Sequence, residues 1–331
     1  MTRASSRFPL PARVDAPRSV PIRDAVAILR RGGLVAFPTE TVYGLGADAS
    51  NAAAVARIYE VKGRPAGHPV IVHIGDAGEL ARWAREIPET ATKLAARFWP
   101  GPLTLVLKRA TGVGDELTGG EDTIGLRIPN HPVALELLRQ FGGGIAAPSA
   151  NKFGRISPTT AEHVRNDLGD EVNLILDGGP CEIGIESTIV DLSRDRPVLL
   201  RPGRVSTGDI AATLGATPEP RDRNAPRAPG TLESHYAPRK PLRLVAGDQW
   251  DERVRGAPQN CAVLCFRARP PGEKCAMWIR ASADPQRYAR DLYSNLRALD
   301  ASGCDEILVE EPPASAEWAA IRDRLARARS A

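Results

Sequence analysis

The stretch FPTETVYGLGAD, residues 37–48, continues the buried-strand signal LVAF and runs into the helical stretch NAAAVARIYEVKG. A strand, a turn of small residues and a helix in succession form the repeating unit of a layered α/β domain. The turn itself reads in two ways. It is either a plain Gly- and Thr-rich turn, or a loop whose hydroxyls, Thr39 and Thr41, and glycines, Gly44 and Gly46, let an anion approach backbone N–H groups.

Working outward, short helical and strand signals alternate. IRDAVAILRRGG reads as a helix with a Gly stop, HPVIVHI as a strand, DAGELARWAR and PETATKLAARFW as helices, and LTLVLK and IGLRIP as strands. HPVALELLRQFGG is helical, GIAAPSAN leaves a strand for a loop, and SPTTAEHVRNDLG is a capped helix before the strands NLILDGG, STIVDL and PVLLRPG. So many strands with irregularly placed helices predict a twisted mixed sheet with flanking helices, an α/β or α+β domain over residues 22–215. Residues 1–21 read as a tail. Residues 216–241, rich in proline and charge without apolar periodicity, read as a linker or an ordered arm. Residues 242–331 then supply LRLV, CAVLCF, a long helix, EILVE and a last helix, which make a small α/β domain.

Composition narrows the classes. With 42% hydrophobic and 25% charged residues over 331 positions the chain is ordinary globular material, and a length of this order suggests two domains. No apolar run approaches the roughly 18 residues of a membrane span, and the N-terminal stretch lacks a secretory signal's apolar core, so a cytoplasmic location without membrane contact is expected. The five cysteines include no C-x-x-C pair, which argues against a zinc site or disulfide framework. A net charge of +4 suits anionic substrates or weak, transient tRNA contact and is too small to mark a nucleic-acid binder.

Four clusters carry candidate chemistry. The first is the Thr39/Thr41 turn. The second is VKGRPAGHPVIVH, where Lys62 and Arg64 stand two apart on a Gly turn, with His68 and His73 close behind. Basic residues at a helix C-terminus can simply answer the dipole, but a Lys and an Arg so spaced can also face one polyanion. Only six of the 44 basic residues are Lys, which gives Lys62 added weight. The third is Arg127 inside the apolar strand IGLRI, either on a solvated face or held for a carboxylate. The fourth is APSANKFGRISPTT, where Ser149 and Asn151 follow a strand's carboxyl end, a usual ligand position. Ser187 in IESTIVDL, Arg201 in LLRPG, and His235 and Tyr236 in the linker's SHYAP complete the set; an aromatic and a His are odd in a solvated spacer.

The ordered combination FPTETVYGLGAD, KGRP with HPVIVHI, GLRIP, PSAN, ESTIVD and LRPG resembles the YrdC-like domain of threonylcarbamoyl-adenylate synthases. The SHYAP linker and small C-terminal domain resemble the long form of that family, so the resemblance covers residues 22–331. It implies a YrdC-like fold with a small Rossmann-like α/β domain behind it. It also implies an enzyme that combines L-threonine, bicarbonate and ATP into threonylcarbamoyl-adenylate and pyrophosphate, for a partner transferase that modifies the adenosine beside the anticodon of tRNA. Carried over, Thr41, His73, Arg127, Ser149 and Ser187 hold threonine. Lys62, Arg64, His68, Thr123, Asn151, Thr159 and Arg201 surround ATP, with His235 and Tyr236 closing over it. Lys62 and Arg64 are the catalytic pair. Family members often carry Asn where this chain has His68. A carbamate is already an anionic nucleophile, so its attack on the α-phosphate asks for positioning and charge neutralisation, which Lys62, Arg64 and a Mg²⁺ ion held mainly by the ATP phosphates would provide. The alternatives are an RNA-binding module of the same fold, and carbamoyl transfer of the hydrogenase-maturation type, whose longer chains carry zinc-finger and acylphosphatase segments not seen here.

Overall fold

The computed structural model describes residues 21–232, 235–258, 260–272 and 274–329. The expected tail, residues 1–21, lies outside them except for Pro21. Nine strands of the first domain and one of the arm form one mixed sheet: β1 Val35–Phe37, β2 Gly44–Asp48, β3 Ile71–His73, β4 Leu103–Lys108, β5 Thr123–Arg127, β6 Ile145–Ala146, β7 Leu174–Ile175, β8 Thr188–Asp191, β9 Val198–Arg201 and, in the arm, β10 Glu219–Pro220. Their order is β10-β9-β8-β4-β5-β3-β6-β2-β1-β7. The central strands are β5 and β3, paired in parallel, with β3 against β6 antiparallel.

One face of this sheet is thickly covered. Val72, Leu105, Leu107, Ile124, Leu126 and Val190 pack there beneath the helices Ala52–Lys62 and Glu89–Phe98 in the largest apolar cluster. Residues two apart along a strand share a face, so Ile71 and His73, Thr104 and Val106, and Thr123, Gly125 and Arg127 all point to the opposite side. There Ile71, Val106, Ile189, Val198 and Leu200 form a small apolar floor. Its cover is not a helix but the proline-rich arm, through Ala225 and Ala228. That stretch of sheet, covered by the arm, is where the polar site forms.

Two readings of the opening motif change. Its second half is the strand β2, antiparallel to β1, so only residues 38–43 turn. Gly46 serves packing: a Cβ there would lie 2.9 Å from both Phe37 Cε1 and Ile145 Cγ2. The arm is also more structured than a spacer, since β10 pairs in parallel with β9.

In the second domain β11 Leu242–Val245, β12 Cys261–Cys265, β13 Met277–Arg280 and β14 Glu306–Glu310 form an all-parallel sheet in the order β11-β14-β12-β13. The helix Pro285–Ala301 starts with Pro at its first turn and an Asp284 cap, a sequence-readable N-terminus. The strand β13 and the short helix Trp250–Arg255 were not foreseen. Continuous buried runs in β12 and β14 are the signature of parallel strands covered on both faces. Among the described residues no helix is long and apolar enough to cross a membrane.

Candidate active site

The turn 38–43 is wired by its hydroxyls. Thr39 donates to Val42 O at 2.6 Å, and Thr39 Oγ1 and Thr41 Oγ1 stand 2.8 Å apart. Thr39's proton being committed, Thr41 donates to Thr39, and Thr41 Oγ1 in turn accepts from Arg127 Nη2 at 2.9 Å. Arg127 ends β5 with only 4% of its surface exposed and donates through Nε to Gly101 O at 3.2 Å. The reading of Arg127 on a solvated face is thereby excluded.

Lys62 and Arg64 flank Gly63, whose φ of 61° closes the helix Ala52–Lys62 in the left-handed region. Neither points to water. Lys62 Nζ donates to Ser149 O and Asn151 O, both at 2.6 Å, so the Lys knits the S-A-N turn to the helix end. Burial, with the charge of Arg64 next, pushes its pKa well below the usual lysine value. Arg64 Nη2 donates to Pro69 O at 2.7 Å and its guanidinium lies over the Phe153 ring, 5.8 Å from the centroid. Burial lowers its pKa to about 10. Two cations held only by carbonyls in a dry site favour an incoming anion.

Arg201, at the end of β9, donates to Ser187 O at 3.0 Å, to Ser187 Oγ at 3.1 Å and to Pro229 O at 2.9 Å. Ser187 Oγ also lies 2.8 Å from Thr104 Oγ1. His73 is fully enclosed, edge-on to Phe37, and burial followed by the Arg127 charge holds its pKa down at about 3, so it is a neutral imidazole. His235, 4.2 Å from the Tyr236 ring by centroids, is likewise held at about 3, mainly by burial.

These groups converge. Thr41, His73, Arg127, Ser149 and Ser187, the five residues expected to hold threonine, share one cavity wall with Arg64, Arg201, His235 and Tyr236. Lys62, His68, Thr123, Asn151 and Thr159 stand off that wall. Lys62 and Asn151 are just behind Ser149; His68 packs on Phe153 at 5.6 Å between centroids. Thr123 begins β5 on the same face as Arg127, four residues away. Thr159 turns to the second domain, 3.1 Å from Ser294 Oγ.

Buried atoms without a hydrogen-bond partner among the described residues cluster here too: Glu40 Oε1 and Oε2, Arg64 Nε, His73 Nδ1, Asn151 Oδ1, His235 Nδ1 and Tyr236 Oη. Buried polar groups are normally satisfied, so this concentration around one cavity marks a place for a polar ligand. The cavity is only about 50 Å³, against the several hundred Å³ of a typical ligand pocket. Four of its lining residues, Pro229, Gly230, His235 and Tyr236, come from the arm.

Glu186 escaped the sequence reading although it directly precedes Ser187. It lines the cavity, accepts from Ser157 Oγ at 2.6 Å, and reaches across the domain boundary to Tyr293 Oη at 2.9 Å and Arg324 Nε at 2.7 Å. Burial alone would raise its pKa. The charges of Arg324 and Arg201 and the bonds from Ser157 and Arg324 outweigh it and bring the pKa to about 2. Nothing in the pattern around Arg324, one of several Arg in the last helix, singled it out.

The fold and site define a two-domain α/β protein with a buried cavity lined by cationic and hydroxyl side chains, and comparison with known proteins places it in a family. The model of the Sua5/YciO/YrdC family, described as "Telomere recombination", matches residues 27–203, and that of "Threonylcarbamoyl-AMP synthase, C-terminal domain" matches residues 205–330. The chain belongs to the two-domain threonylcarbamoyl-AMP synthase family. It is 41% identical over 322 residues to the threonylcarbamoyl-AMP synthase of Pyrococcus abyssi, covering 93% of each chain. To that of Bacillus subtilis it is 42% identical over 322 residues, 93% of this chain and 92% of the other. The solved structure of P. abyssi Sua5 complexed with L-threonine superposes with a TM-score of 0.84 at 39% identity, over 93% of both chains.

Proposed function

We propose that this protein is an L-threonylcarbamoyladenylate synthase, forming threonylcarbamoyl-AMP and pyrophosphate from L-threonine, bicarbonate and ATP. The observation that carries the reading is the convergence of Thr41, His73, Arg127, Ser149 and Ser187 with Arg64, Arg201, His235 and Tyr236 on one cavity, at the family's motif positions.

Arg127 offers its guanidinium to the threonine carboxylate, a planar fork to a planar anion. Its Nη2 is already oriented by Thr41. The threonine amine attacks the bicarbonate carbon and water is lost to give a carbamate, and a carbamate oxygen then attacks the α-phosphate as pyrophosphate leaves. The chain's contribution is placement and charge. Arg64 and Arg201, with Lys62 behind them, meet the phosphates, and a bound polyanion would raise the Lys62 pKa that burial lowers. His73, neutral at working pH, acts as a hydrogen-bonding group rather than as a proton donor of imidazolium type. Mg²⁺ would neutralise phosphate charge. Glu186, a carboxylate on the wall, is engaged by Arg324, Tyr293 and Ser157, so the ion would be held by the phosphates.

A cavity of about 50 Å³ does not admit ATP whole, so the arm at 216–241 swings aside for entry and closes afterwards, with His235 and Tyr236 over the nucleotide. Closure keeps water from a labile mixed anhydride. The product passes to a transferase acting on tRNA in the cytoplasm. An RNA-binding module without adenylation would have no use for buried, unpaired polar atoms of Arg64, His73, His235 and Tyr236 around one cavity. Incubation with ¹³C-bicarbonate, threonine and Mg-ATP, followed by mass spectrometry, tests the reading. The labelled adenylate is expected; AMP without any carbamoylated product would refute it.

A further inference from the structure

Four buried cations serve the site, and they differ in one respect. Lys62 is bonded to two carbonyls, Arg64 to one, and Arg201 to two carbonyls and a hydroxyl. None of these three has a carboxylate at ion-pair distance among the described residues. The carboxylate nearest in sequence to Ser187, Glu186, is taken by Arg324 at 2.7 Å. Arg127 alone is matched, with Glu40 Oε1 2.7 Å from its Nη2. Both partners are buried, Glu40 with 3% and Arg127 with 4% of its surface exposed.

Glu40 stands behind the arginine. Its neighbours Thr39 and Thr41 are on the cavity wall and Glu40 is not; its own carbonyl is held by Ile183 N at 2.8 Å. Its carboxylate oxygens lie within charge contact of Arg127 but find no hydrogen bond of good geometry among the described residues. A hydrogen bond would fix a proton-bearing neighbour; an ion pair without one acts through its field. In a dry site that field is strong.

We infer that Glu40 is a specificity-determining residue that sorts the amino-acid carboxylate from the nucleotide phosphates by cancelling the charge of Arg127. Lys62, Arg64 and Arg201, with no carboxylate at ion-pair distance among the described residues, form a phosphate side; a neutralised Arg127–Glu40 pair forms a side that still offers N–H donors to a monoanionic carboxylate but exerts little pull on a polyanion. Specificity here is built by withholding attraction from the wrong ligand. The inference deepens the synthase reading and rests on Arg127 facing the amino-acid carboxylate.

The test is competition between threonine and methylenediphosphonate, a stable pyrophosphate mimic, followed by calorimetry on the full chain and on Glu40→Gln. In the native chain threonine affinity stays within about twofold when the bisphosphonate is saturating, because the two sit on separate cations. In Glu40→Gln the bisphosphonate weakens threonine at least about tenfold, because Arg127 now attracts phosphate. Glu40→Gln without this competition, or native chain with it, would overturn the assignment. Were Glu40→Gln not to fold, Glu40→Asp, which withdraws the carboxylate from Arg127, takes its place with the same competition expected and the same result overturning the assignment. Were the native chain to bind no threonine, the synthase reading fails, and the bisphosphonate stoichiometry, one per native chain and two per Glu40→Gln chain, still judges Glu40.

Discussion

Glu186 of the first domain and Arg324 of the second meet across the domain boundary, Nε to Oε2 2.7 Å, with the guanidinium fully buried and lying over the Tyr236 ring at 5.3 Å. One side chain of the last helix thus holds both the loop that carries Ser187 and the arm that carries Tyr236. The same helix grips the arm again: Arg327 O accepts from His235 N at 3.0 Å, and Arg327 donates to Leu232 O. The second domain is built into the site rather than appended to it.

Breaking that pair should be costly. Arg324→Met leaves a buried carboxylate without its main counter-charge, a loss of about 3–5 kcal/mol. Chemical denaturation of the purified variant measures it. Adding Glu186→Gln removes the stranded charge, so the double variant should be more stable than Arg324→Met alone; strict additivity of the two losses would contradict the coupling.

Acid should weaken the fold from neutrality downward. His73 and His235 are both held near 3, below the usual value of 6.5. Protons therefore favour the unfolded chain: the stabilisation is complete above 6.5 and lost progressively as pH falls toward 3. Each contributes at most about 1.4 kcal/mol per pH unit in that window. Urea midpoints at pH 7.5 and 5.0 check this. An equal or higher midpoint at pH 5.0 would show that the imidazoles are not buried neutral.

Turnover should collapse without the phosphate-side cations. Arg64→Ala and Lys62→Ala are each expected to lower the rate by about two to three orders of magnitude. Circular dichroism should show the fold retained in Arg64→Ala. In Lys62→Ala, loss of the bonds to Ser149 O and Asn151 O also loosens the S-A-N turn, so its threonine KM should rise as well. Near-parental rates in either would remove that residue from the site.

Gly230 sets how tightly the arm seats. At φ 74° a Cβ would fall 2.0 Å from Tyr236 Oη and 3.0 Å from Arg201 Nη1. Gly230→Ala must displace the Tyr236 hydroxyl and should slow turnover while leaving the two domains folded. It should also speed protease cleavage within 216–241. A variant with parental turnover and cleavage would mean the arm's seat is irrelevant to the reaction.

What the sequence carried, it carried through local signals. Gly63 after the helix, the β-branched run HPVIVHI and the motif residues Thr41, Arg127, Ser149 and Ser187 each state their position in a few neighbouring letters. Glu40 lay in plain view inside FPTET but needed its distance to Arg127 to acquire meaning. Arg324 is one Arg among many in an ordinary amphipathic helix, and only tertiary packing brings it to Glu186, 138 positions away. β13 was missed because MWIR is a short, half-buried edge strand without alternation, a weak signal in any window. The arm was read by composition, which does not reveal that Ala225 and Ala228 find an apolar floor on the sheet.

The central claim is tested most directly by pyrophosphate release from Mg-ATP with threonine and bicarbonate each omitted in turn. The account predicts release that requires both. Release indifferent to threonine, or none with all three present, would contradict it.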